Sequence, residues 1–69
     1  MNAKSIINIR NQLGISQEEF ARLLDVSFAT VNRWENGKCK PSRMAQKSIN
    51  TFCEKNGITV FKEGDPDAN

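Results

Sequence analysis

The chain has 69 residues, ten of them basic and eight acidic, for a formal net charge of +2. A chain of this size buries only about 60% of its extended-chain surface, so it can form one domain with a small core. With no histidine and two cysteines it supplies neither a four-ligand zinc site nor a disulfide framework, and no segment approaches the ~18 apolar residues of a membrane span.

The charge is unevenly distributed along the chain. The last seven residues hold three acidic side chains and no basic one, so residues 1–62 carry ten basic groups against five acidic ones. Five of the basic residues fall within a stretch of fifteen: Arg33, Lys38, Lys40, Arg43 and Lys47. Such a cluster fits a polyanionic partner, and on charge alone an ordinary solvated face explains it equally well.

A first helix is predicted over residues 3–13. Ile6, Ile9 and Leu13 recur at helical spacing and form one apolar stripe, which Ile7 widens. Gly14 follows the stripe at a position where helices commonly end on a residue with positive φ.

A second helix is predicted over residues 17–24, with the strongest start signal in the chain. Ser16 and Glu19 have the spacing of a capping box, and Ile15 and Phe20 flank it as a hydrophobic staple. The pattern turns Phe20, Leu23 and Leu24 towards the core, and the small Ala21 allows another helix to approach closely.

A third helix is predicted over residues 28–36, after a linker of about three residues. Ser27 is a second N-cap, and Val26 and Val31 form a second staple across it. Val31 and Trp34 share the side expected to pack in the core, whereas Phe28 lies off that side and is expected to be exposed. Two helices joined this closely form a tight helix-turn-helix.

A fourth helix is predicted over residues 43–55, after a basic loop that ends at Pro41. Ser42 caps it, and its inward side is formed by Ala45, Ile49, Phe52 and Cys53. Residues 58–61 are β-prone and can pad the core, pair with another chain or do little. We assign residues 1–62 to one domain and expect the acidic residues 63–69 to be disordered.

These elements carry a resemblance to the lambda/Cro-like phage repressor family. Its helix-turn-helix positions are matched by Gln17, Phe20, Ala21, Leu24, Val26, Val31 and Trp34, and residues 34–42 (Trp-Glu-Asn-Gly-Lys-Cys-Lys-Pro-Ser) resemble the family's exit from the third helix. The resemblance covers residues 4–56 and implies a compact all-α, lambda-repressor-like domain. The sequence departs from the family at Asp25, where Gly is usual, and after residue 57, where a fifth helix is often found.

The resemblance also implies which residues meet DNA, with the third helix entering the major groove. Base contacts would come from Phe28, Ala29, Asn32 and Arg33. Backbone contacts would come from Gln17, Ser27, Thr30, Asn36, Lys38, Lys40 and Arg43. Arg10 and Glu35 match a structural ion pair of the family, and Gln17 has the alternative of being simply a good helix former.

The expected function is therefore a sequence-specific DNA-binding transcription regulator that acts as a homodimer on a two-fold operator. The alternatives are the antitoxin of a toxin–antitoxin pair, with residues 58–61 and the acidic tail contacting the toxin, and the DNA-targeting module of a longer protein. Nothing in the sequence favours an enzyme, a metal or a cofactor. The N-terminus lacks a signal peptide, and we expect a cytoplasmic protein of bacterial or phage origin.

Overall fold

The computed structural model describes residues 1–60, which form four α-helices and no β-strand within that range. The helices are α1 (Ala3–Leu13), α2 (Gln17–Leu24), α3 (Phe28–Glu35) and α4 (Arg43–Lys55). The predicted all-α architecture is confirmed, as are the bounds of α1, α2 and α4. Helix α3 ends one residue earlier than predicted, because Asn36 is its C-cap.

Each helix is preceded by an N-cap residue whose side chain accepts a hydrogen bond from the backbone amide three residues later. This bond satisfies one of the amide donors that are left unpaired at a helix start. The four caps are Asn2 (3.0 Å), Ser16 (3.1 Å), Ser27 (3.2 Å) and Ser42 (3.1 Å). The predicted capping box of α2 is half formed, since the Glu19 carboxylate contacts Arg22 instead of turning back to the Ser16 amide.

The core is formed by two buried residues from each helix. They are Ile6 and Ile9, Phe20 and Ala21, Val31 and Trp34, and Ile49 and Cys53. The predicted burial of Trp34 and Cys53 is confirmed. Because α3 contributes Val31 and Trp34 to this cluster, its opposite side is left facing outward.

Leu23 was expected to face the core, and that expectation is wrong, since 48% of the residue is exposed. At 100° per residue, Phe20, Ala21 and Leu24 define the inward arc of α2, and Leu23 lies about 110° from the centre of that arc.

Residues 58–60 pad the core, which was one of three possibilities for this β-prone segment. Ile58 and Val60 pack against the buried cluster. Between them, Thr59 is held by Gln12 through two hydrogen bonds, one to its carbonyl oxygen (3.0 Å) and one from its amide (3.4 Å). Phe61 and the acidic residues 63–69 lie outside the described residues, so the disorder of that tail stays a prediction.

Asp25 ends α2 in the left-handed conformation, with φ 59° and ψ 44°. Replacing it with glycine should raise the free energy of unfolding by about 0.5–1 kcal/mol. The change removes the Cβ penalty of this conformation and an unfavourable negative charge at a helix C-terminus, and the extra freedom of glycine in the unfolded chain offsets part of the gain. Urea denaturation of both proteins measures the difference.

Gly14 provides the matched control, because it ends α1 in the same conformation (φ 67°). A Cβ added at Gly14 would meet no atom within 4 Å, so Gly14→Ala isolates the backbone effect. It should destabilise by about 1 kcal/mol. A lower stability for Asp25→Gly than for the parent would contradict this account of the turn.

Candidate nucleic-acid interface

The turn between α2 and α3 is short and held by backbone hydrogen bonds. The Asp25 amide donates to the Arg22 carbonyl (3.2 Å) and the Val26 amide to the Ala21 carbonyl (2.9 Å). Val26 is half-buried against the core, next to a cluster that contains Val31. The short turn and the buried side of α3 therefore set the position of α3 relative to α2.

The outward side of α3 is apolar at its start and basic towards its end. Phe28 is 52% exposed, as predicted, and Ala29 and Arg33 are also exposed. The exposed ring of Phe28 gives this end of α3 an apolar surface that a partner could contact. Arg33 adds a planar group with five hydrogen-bond donors, which suits acceptor-rich partners such as base edges and phosphates.

The start of α3 is ordered by its own hydroxyl groups. The Ser27 Oγ accepts from the Thr30 amide and lies 2.8 Å from the Thr30 Oγ1. Ser27 is exposed and Thr30 is half-buried, so their hydroxyl groups lie at the edge of the outward side of α3. This is a position from which they could contact the phosphate backbone of DNA.

An ion pair joins α1 to the end of α3. The Arg10 Nε donates to the Glu35 Oε2 (2.7 Å) and its Nη2 to the Oε1 (2.9 Å), in the bidentate geometry that suits a guanidinium and a carboxylate. The Arg10 Nη1 also donates to the Ile15 carbonyl (3.0 Å). The predicted pair is thus confirmed, and it also ties α3 to the connection between α1 and α2.

The pair shifts the pKa of both groups. Burial alone would raise the pKa of Glu35, whose side chain is only 4% exposed, but the hydrogen bonds from Arg10 and Gln17 and the attraction of the guanidinium outweigh it, so the pKa is lowered. The hydrogen bond to Glu35 raises the pKa of Arg10. Both groups are therefore charged at neutral pH.

Three amide side chains continue from this ion pair, and we call Gln17, Asn32 and Asn36 the amide relay. The Gln17 Nε2 donates to the Glu35 Oε1 (3.0 Å), and the Gln17 Oε1 accepts from the Asn32 Nδ2 (3.1 Å). The Asn32 Oδ1 in turn accepts from the Asn36 Nδ2 (2.9 Å). Sequence reasoning missed these contacts, although the i, i+4 spacing of Asn32 and Asn36 was visible.

The loop after α3 is exposed and basic, as the sequence predicted. Lys38 and Lys40 are exposed, and Arg43 is exposed at the start of α4. Pro41 is buried, and its carbonyl accepts a hydrogen bond from the Gln46 Nε2 (3.1 Å), which fixes the loop against α4. Positive side chains are thereby presented next to the end of α3, where they suit phosphate groups.

Residues 1–60 contain no group of three or more metal-ligating side chains. No helix in this range combines the length and apolar character that crossing a bilayer requires. What this part of the chain presents is an exposed helix side with an arginine and, beside it, a basic loop.

The model of the helix-turn-helix family matches residues 6–47, which is more than half of the chain. This range contains most of α1, all of α2 and α3, the basic loop and the start of α4, so it includes the outward side of α3 and the basic residues that follow it. No curated protein and no solved structure matches the chain. The chain belongs to the lambda/Cro-like helix-turn-helix family, and it is a DNA-binding domain of the kind that regulates transcription.

Proposed function

We propose that this domain binds a specific DNA sequence with α3 in the major groove and regulates transcription as a homodimer on a two-fold operator. The observation that carries the proposal is the division of α3. Val31 and Trp34 anchor one side in the core, while Phe28, Ala29 and Arg33 leave the other side free to meet base edges. A helix held in this way fits the width of the major groove.

The proposed base contacts differ in chemistry. Arg33 is an exposed residue of α3 with a long side chain that ends in hydrogen-bond donors, and a guanidinium pairs bidentately with the O6 and N7 of guanine. Phe28 and Ala29 offer no side-chain hydrogen bonds, so they would contact thymine methyl groups and respond to the shape of the groove. Asn32 belongs to the predicted set as well, although it is half-buried and bonded within the amide relay.

The proposed backbone contacts surround this helix and would position it without reading sequence. Lys38, Lys40 and Arg43 lie on or next to the exposed loop that follows α3, and Asn36 caps the helix end. Ser27 and Thr30 lie at its start, and Gln17 opens α2, whose first amides can hold a phosphate.

Two-fold binding by a homodimer would place two copies of α3 in successive major grooves, about 34 Å apart. Each chain would read one half-site, so the operator would be palindromic. A transcription regulator must reach the genome, which in a bacterium lies in the cytoplasm. The proposal therefore includes a cytoplasmic location in a bacterium.

Enrichment of bound sequences from random double-stranded DNA tests the proposal. We expect a two-fold consensus whose half-site centres are about one helical turn apart. A single half-site without symmetry would contradict the dimer but retain sequence-specific binding. The absence of any enriched sequence would contradict sequence-specific regulation.

The antitoxin alternative assigned the contact with a protein partner to residues 58–61 and the acidic tail. Ile58 and Val60 pack against the chain's own core, which leaves less of this segment available for such a contact. The alternative would gain support from co-purification with a small basic protein, whereas full operator affinity without a partner would weaken it. A DNA-targeting module of a longer protein is compatible with the same DNA contacts.

A further inference from the structure

The hydrogen bonds of the amide relay all run in one direction. Asn36 donates to Asn32, Asn32 donates to Gln17, and Gln17 donates to Glu35, with distances of 2.9, 3.1 and 3.0 Å. The series begins at the exposed end of α3 and finishes on a carboxylate that is 4% exposed. It therefore connects the proposed DNA-facing end of α3 to the buried ion pair.

The charge of Glu35 determines this direction. An ionised carboxylate only accepts hydrogen bonds, so Gln17 must turn its NH₂ group towards Glu35. The carbonyl oxygen of Gln17 then faces Asn32, which must donate a hydrogen bond to it from its NH₂ group. By the same step the Asn32 carbonyl receives the Asn36 NH₂ group, so one buried charge sets the orientation of all three amides.

The relay uses the atoms that Asn32 would need for reading a base. An asparagine recognises adenine with both its amide nitrogen and its amide oxygen. In Asn32 the nitrogen is bonded to Gln17 and the oxygen to Asn36. Turning the side chain to a base would break both bonds and leave the oxygen of the half-buried Gln17 without this donor, which costs free energy.

We infer that Asn32 is a positioning residue: with Gln17 it holds α3 and Asn36 in register on the DNA, and discrimination between bases falls to Arg33, Phe28 and Ala29. The inference rests on the proposed function and deepens it, because it separates the residues of α3 that contact bases from Asn32, which positions the helix. It also assigns Gln17 a role in the frame, in addition to its proposed contact with phosphate.

The test compares Asn32→Ala and Gln17→Ala with the parent on the enriched operator and on every single-base-pair variant of it. Affinities are measured at a temperature at which circular dichroism shows each protein folded. We expect both variants to bind all the sites about three- to tenfold more weakly, with the ranking of bases unchanged at every position. The double variant should lose less affinity than the two single losses added together, because both changes remove the hydrogen bond between Gln17 and Asn32.

A loss of preference at one base pair in Asn32→Ala would overturn the inference and make Asn32 a base reader. Unchanged affinity in both variants, or strictly additive losses in the double variant, would overturn it too. If the parent enriches no operator, the proposed function fails instead. The relay is then judged by thermal unfolding of the same variants, where additive losses of stability for Gln17→Ala and Asn32→Ala would refute the link between them.

Discussion

Arg33→Ala should lose discrimination at one base pair of each operator half-site, by about 10- to 100-fold. A bidentate contact between arginine and guanine contributes about 1–3 kcal/mol of discrimination against a wrong base, and alanine cannot replace it. Because Arg33 is exposed and outside the core, the variant should fold as the parent does. Binding titrations against single-base-pair variants of the enriched operator measure the loss.

Two control variants separate base reading from general attraction. Arg22→Ala removes an equally large positive side chain, 76% exposed on α2, and should leave the ranking of bases unchanged. Lys40→Ala should weaken binding to all sequences alike and reduce the slope of log affinity against log salt by about 1. If Arg33→Ala and Lys40→Ala behave alike across sequences and salt, Arg33 does not read a base.

Glu35→Ala should destabilise the domain by about 3 kcal/mol or more. The change leaves the Arg10 guanidinium without the carboxylate that accepts two of its hydrogen bonds. The Arg10 side chain is only 20% exposed, so the loss of its partner from this largely buried pair is costly. It also removes the acceptor of Gln17. For a domain of this size such a loss is a large part of the total stability, so thermal unfolding should show a strongly lowered midpoint.

Glu54→Ala is the matched control, because Glu54 is an exposed glutamate on α4, and its effect should be within about 0.5 kcal/mol. Replacing Arg10 and Glu35 together with methionine should cost less than the two single changes added together, since no unpaired charge remains. If Glu35→Ala lowers the free energy of unfolding no more than Glu54→Ala does, the ion pair does not hold α3.

The same pair predicts how stability depends on pH. The pKa of Glu35 is lowered in the folded protein, so its contribution is fully present above the ordinary glutamate pKa of about 4.3 and is lost as the pH falls through the lower, folded value. The difference in unfolding free energy between the parent and Glu35→Ala should therefore shrink below about pH 4. A constant difference down to the lowest pH at which both proteins fold would contradict this assignment.

The helices could be predicted from the sequence because their boundaries depend on nearby residues. A serine cap such as Ser16 acts three residues away, and a positive-φ residue such as Gly14 acts within the last turn. The long apolar stripe of α1 likewise specified its buried side. Leu23 shows where local pattern fails, since a helix of two turns has too few apolar positions to define the centre of its inward side.

The candidate site was predictable in part. The exposure of Phe28 followed from its position off the Val31 and Trp34 side, and the Arg10–Glu35 pair followed from the family resemblance. The bonds of Gln17 to Asn32 and Glu35 could not be predicted, because they join residues 15 and 18 positions apart. Whether such side chains meet depends on how closely α2 and α3 cross, and residue types alone do not specify that distance.

The two cysteines differ in a way that makes the domain suitable for direct optical measurement. Cys39 is exposed in the loop that follows α3, whereas Cys53 is buried, and burial raises the pKa of its thiol. The thiolate is the form that reacts with maleimides, so a fluorophore should attach selectively at Cys39 without any engineered cysteine. Because that loop flanks the helix proposed to contact the bases, the fluorescence of the attached dye should change when the protein binds DNA, with no substitution in the chain.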